Sequence, residues 1–142
     1  MIYKAMNIAK YIINKCNNYL EPINNLQLQK ILYYIQKAFL VEFGSPAFND
    51  RIEAWQFGPV IPVVYNRYCG FGSEPILTKY TYMVINQSDI QFMDHIIKDK
   101  YNKYPWDLVN DINAPHKAWS LIYKNGLGNH HEIPQYLIRI DG

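Results

Sequence analysis

Leu26 to Phe43, LQLQKILYYIQKAFLVEF, constrains the fold more than any other stretch of this chain. At about 100° per residue, Leu28, Ile31, Leu32, Ile35, Ala38, Phe39 and Phe43 share one broad apolar face, flanked by Tyr33, Tyr34, Leu40 and Val41. Lys30 and Lys37 form the one clearly polar stripe. A helix apolar nearly all round belongs in the middle of a fold. Asn24 suits an N-cap, Gln27 can complete a capping box, Gly44 suits a left-handed C-terminal cap and Pro46 prevents continuation. The segment is short for a bilayer and carries Lys30, Lys37 and Glu42, so it is expected to be a core helix.

The 142 residues fit one domain, 1–142, with enough apolar content to bury a core. A net charge of +2 argues against a dedicated nucleic-acid binder, which concentrates basic residues on one face. Cys16 and Cys69 lack metal-site or disulfide spacing and are expected to be reduced thiols. Residues 1–15 show neither an uninterrupted apolar run nor a small-residue cleavage site, which argues for a cytoplasmic protein.

Residues 2–18 repeat Ala5, Ala9, Ile12 and Cys16 at helical spacing. Arg51 to Phe57 is expected to form a short strand ended by Gly58-Pro59. Pro62 opens a short helix through Tyr68, closed by Gly70 and Gly72. Pro75 to Asn86 is rich in β-branched and aromatic residues and is expected to form a strand or hairpin paired with the strand around Ala54. Ser88 to Gln91 has capping-box form, and Phe92, Met93, Ile96, Ile97 and Tyr101 continue it as a helix. Pro105 and Pro115 each open a further short helix, and 130–140 is a last short helix or extended tail. The expected fold is mainly α with a small β element (α+β), a compact single domain built around the central helix.

LQLQKILYYIQ, a short spacer and IEAWQFGPVIPVVY together resemble the Panacea antitoxin domain, the family of SocA-like and phage-associated GepA-like proteins. The resemblance rests on Leu28, Gln29, Lys30, Leu32, Tyr33 and Tyr34, then on Glu53, Ala54, Trp55, Gly58, Pro59, Val60, Pro62 and Tyr65. Gln27 replaces the first motif lysine. A weaker likeness continues to Val109–Ala114, Ala118-Trp119 and Glu132-Ile133-Pro134 with Ile138. The family's Thr-His pair is absent, and His116 lies two residues beyond its place. The resemblance implies a helical domain that neutralises a cognate protein toxin by direct binding, with some relatives handing the toxin to a protease. A protease or chaperone is thus a further implied partner.

Catalytic and metal constellations are missing from the sequence patterns. The four histidines and two cysteines make no ligand spacing, no nucleophile elbow is present, and the Gly70–Ser73 segment lacks a phosphate-loop lysine. No enzyme, cofactor or metal is expected. For Trp55 the bland expectation is core packing. Leu28, Leu32, Tyr33, Glu53, Trp55, Gly58, Pro59 and Tyr65 are expected to be structural, with Glu53 pairing with Lys30 or Lys37. Gln29, Lys30, Tyr34, Gln56 and Phe57 are the candidate partner-binding residues. They lie in the two motifs, and aromatic and cationic side chains anchor interfaces. Two other functions compete with the antitoxin. A DNA-binding autorepressor conflicts with the balanced charge, and a small hydrolase lacks any catalytic grouping.

Overall fold

The computed structural model describes residues 2–81 and 83–141. It is mainly helical with one small β element: α1 (Ala5–Asn18), α2 (Asn25–Phe43), β1 (Glu53–Trp55), β2 (Gly58–Val60), α3 (Pro62–Tyr68), α4 (Gln87–Lys100), α5 (Pro105–Ile112), α6 (Ala118–Tyr123) and α7 (Gln135–Arg139). Helix α2 packs against α1, α3, α4, α5, α7 and β2. Leu28, Ile31, Leu32, Tyr33 and Ile35 are buried in it. Each such side chain contributes roughly 1.5–3 kcal/mol relative to exposure.

The ends of α2 form as their residues dictate. The Asn24 side chain accepts from the Gln27 N–H at 3.0 Å, and Gln27 Oε1 accepts from the Asn24 N–H at 2.9 Å. Gly44 closes the helix at φ +70°, with its N–H on the Leu40 carbonyl. Helix α1 has no side-chain cap of its own. Instead Asp50, far along the chain, accepts from the Ala5 N–H at 2.9 Å and satisfies one of the orphan donors of the first turn. At its other end α2 meets α4 through aromatic edges: Phe92 lies 5.3 Å from Phe39 and 5.0 Å from Phe43. Between the two ends, Gln36 holds the loop after α2. Its amide donates to the Phe48 carbonyl at 2.8 Å and accepts from the Ala47 N–H at 2.9 Å.

Three local expectations change. Gly58-Pro59 does not end the β element; it begins the second strand, which pairs antiparallel with the first in the register Glu53 to Val60, Ala54 to Pro59 and Trp55 to Gly58. Among the described residues, Pro75 to Asn86 forms no strand and does not pair near Ala54; Tyr82 lies outside the described residues. The segment runs extended along α1, where Asn14 donates to the Tyr80 carbonyl at 2.6 Å and accepts from the Tyr80 N–H at 2.9 Å. One asparagine amide thereby supplies both bonds that a neighbouring strand would make. At the start of α4, Asn86 rather than Ser88 is the N-cap, accepting from the Asp89 N–H.

Candidate functional site

Gln29 and Lys30 stand on the turn of α2 that faces the hairpin. Each is only 1% exposed. Gln29 Oε1 accepts from the Ile61 N–H at 2.8 Å, and its amide donates to Asn25 Oδ1 at 2.9 Å. Asn25 in turn donates to the Tyr65 carbonyl at 3.2 Å. Lys30 Nζ donates to the Pro59 carbonyl at 3.0 Å. Adjacent residues of the helix thus hold the hairpin and the start of α3 by their backbone. The expectation of a solvated or partner-facing Lys30 is corrected, and Gln29 likewise presents no contact surface.

This clamp explains the glycine. Gly58 has φ +118°, and a Cβ there would lie 2.9 Å from Lys30 Cε, 3.0 Å from Nζ and 3.1 Å from Asn113 Oδ1. The lysine tip fills the space a side chain would need, and the backbone conformation favours glycine independently. Pro59 contributes by having no N–H to leave unpaired on this outer edge. On the opposite edge, the Ala54 N–H donates to the His131 carbonyl at 2.9 Å and the Ala54 carbonyl accepts from the His130 N–H at 2.7 Å.

Burial alone sets the electrostatics of Lys30. With no carboxylate among the described residues offsetting desolvation, its pKa falls from 10.5 to about 7. Asn113 Oδ1, on the same side of Gly58, is a buried acceptor without a donor among the described residues.

Outside the clamp lies a cleft of about 670 Å³. Trp55 forms one wall. It is half-buried rather than a core residue, stacked on His130 at 4.3 Å and edge-on to Tyr65 at 4.9 Å. Its indole donates to Glu53 at 2.9 Å. Glu53 pairs with Arg51 at 2.9 Å, so the expected lysine partner is replaced by an arginine two residues away. Phe57 forms the opposite lip at the hairpin tip, 51% exposed and edge-on to Trp106, itself 42% exposed, at 5.4 Å. Gln56 beside it is exposed.

Tyr34 lies elsewhere. It lines a second hollow of about 490 Å³ with Lys37, His95 and Lys100. Its hydroxyl donates to the Asp111 carboxylate, and Lys100 sits over its ring at 4.2 Å. Burial first, then that hydrogen bond, pushes the Tyr34 hydroxyl well above its ordinary value. The same bond, and Lys117 at 3.5 Å, hold Asp111 below the usual carboxylate range.

The five candidate contacts therefore separate into a buried pair, a half-buried tyrosine and an exposed tip. Sequence reasoning passed over Trp106, His130 and Asn113. No periodicity links them to the hairpin, because α5, which carries Trp106 and is capped at its end by Asn113, and the segment around His130 bring them there from elsewhere in the chain. His116, the stand-in for the missing family histidine, is exposed at φ +69° and is not among the residues lining the cleft. Among the described residues, no group of three or more His, Cys, Asp or Glu could hold a metal ion, and no helix is long and apolar enough to cross a membrane.

A family model described as antitoxin SocA-like, Panacea domain, matches residues 28–120, which include the clamp, the hairpin and α5. Antitoxin SocA of Caulobacter vibrioides (strain NA1000 / CB15N) is 41% identical over 75 residues, covering 53% of this chain and 40% of that protein. The match therefore spans less than half the length of that curated relative. No solved structure matches the chain.

Proposed function

The chain belongs to the antitoxin SocA-like, Panacea domain family, and from that premise we propose that it neutralises a protein toxin by direct protein–protein contact, without catalysis of its own. The observation that carries this reading is the exposed aromatic pair at the hairpin tip. Phe57, on the turn of the clamped hairpin with Gln56 beside it, stands edge-to-face with Trp106 of α5. Large aromatic side chains held in place before binding lose little conformational freedom on association. They are also the residue types that most often act as binding hot spots. Gln29 and Lys30 support such a surface from below by fixing the backbone that presents it.

Co-expression with a candidate protein toxin tests the reading by growth rescue, pull-down and melting of each variant. Phe57→Ala is expected to lose about 2 kcal/mol of affinity, roughly thirtyfold, while the variant melts as the parent does. Rescue and pull-down unchanged in both Phe57→Ala and Trp106→Ala would put the contact surface elsewhere. The same cells separate blocking from delivery to a protease. A toxin that persists in complex with the antitoxin indicates blocking, and a toxin whose lifetime shortens only when the antitoxin is present indicates delivery.

A further inference from the structure

The cleft beneath the hairpin tip has a lining unlike an ordinary surface groove. Trp55, Phe57, Tyr65, Trp106 and Lys30 are among its lining residues, and among the described residues no Asp or Glu lines it. Its volume of about 670 Å³ falls in the range of small-molecule sites, which join apolar aromatic walls to a few placed polar groups. Lys30 is such a group. As an ammonium it carries three donors, and one is used, on the Pro59 carbonyl. That carbonyl is neutral, as is the Asn113 amide oxygen, which lies with the lysine tip around the place a Gly58 side chain would take. His130, stacked on Trp55, is the other titratable group of cationic type in the lining. Burial penalises the charged form of Lys30, and an incoming anion offsets that penalty.

The occupant is more readily a free small molecule than a peptide strand. A strand needs open backbone donors and acceptors at a sheet edge. Here the outer edge of β2 is taken by Gln29 and Lys30, and that of β1 by residues 130–131.

We propose that this cleft binds a small aromatic carboxylate, its ring between the aromatic walls and its carboxylate on Lys30. The inference does not depend on toxin neutralisation, and its test involves no toxin. Binding of 1-naphthoate and indole-3-acetate to the purified chain is measured by titration calorimetry at about pH 8, beside their neutral amides. Each acid is expected to bind at least about tenfold more tightly than its amide, because the ammonium bond is charge-assisted. Repeating the titration in buffers of different ionisation heat should show proton uptake on binding the acid, since Lys30 is largely neutral at that pH. Lys30→Met should bring the acid down to the affinity of the amide, and Trp106→Ala should weaken acid and amide alike. Should Lys30→Met fail to fold, the acid–amide ratio and the proton uptake of the unaltered chain decide alone. The proposal fails if neither acid saturates at millimolar concentration, if acid and amide bind equally, or if a folded Lys30→Met variant retains the preference.

Discussion

The two ends of α2 are held by different means. Its last turns meet α4 through Phe39, Phe43 and Phe92, an apolar contact with no hydrogen bond to satisfy. Its first turns meet the hairpin through Asn25, Gln29 and Lys30, every one buried and each bonded to a particular backbone or side-chain atom. An apolar contact tolerates a change of shape, because dispersion and burial are non-directional. A polar contact sealed from water tolerates little, because a lost partner strands the other group. The contrast teaches where this helix is merely stable and where it is specific: the specific end is the one that holds the exposed aromatic tip in position.

Four measurements break or sharpen that contrast. The largest effect lies outside it and sets its scale. Leu32→Asp or Ile35→Asp puts an unpaired carboxylate into the core shared by both ends and should cost several kcal/mol, enough to unfold the domain. A parental melting curve for either would discredit the central position of α2. Next is Gln29→Leu, which keeps the volume but strands the Ile61 N–H and leaves Asn25 Oδ1 without its donor. Urea titration should show a loss of about 2–4 kcal/mol, and a loss no larger than that of an apolar swap at the α4 end would erase the difference between the ends.

The third prediction uses pH. Folded Lys30 ionises at about 7 against 10.5 ordinarily, so the unfolded chain holds more protons than the folded one between those values. The stabilising effect of raising the pH is therefore complete above the ordinary value and is lost as the pH falls through the folded one. From about pH 7 to about pH 9 the parent should gain roughly 2 kcal/mol relative to Lys30→Met. Parallel stability curves would mean that Lys30 is not desolvated. The smallest effect is Phe39→Leu at the apolar end, about 1 kcal/mol with pH-independent behaviour.

Much of this was legible in the chain itself. Seven apolar positions on one face, Asn24 with Gln27 at one end and Gly44 at the other, specify α2 because periodicity and caps agree. The linked motifs pointed to the hairpin region for the same reason. The partner of β1 was not legible. Gly-Pro is a breaker in most contexts, and its place as an edge strand depends on Lys30 occupying the room a Cβ would take. Pro75 to Asn86 has strand composition, yet Asn14 satisfies its backbone from a helix, a long-range event without local signal. Lys30 misled because a lone lysine on an apolar helix has the same pattern whether it reaches water or a carbonyl. The aromatic cleft was hidden because Trp106 and His130 arrive from segments far apart in the sequence.

The closed edges of the hairpin have one more consequence, for behaviour at high concentration. A short hairpin ordinarily offers unpaired strand edges that recruit other chains, the first step toward ordered aggregates. Here side chains of α2 and the backbone at 130–131 occupy those edges, and Pro59 removes a donor outright. The molecule can expose the Phe57 ring on its β turn, with Trp106 of α5 against it, without offering a backbone template beside them. Self-association, where it occurs, is then confined to side-chain contact at the tip, which dilution reverses, rather than to growth of a sheet.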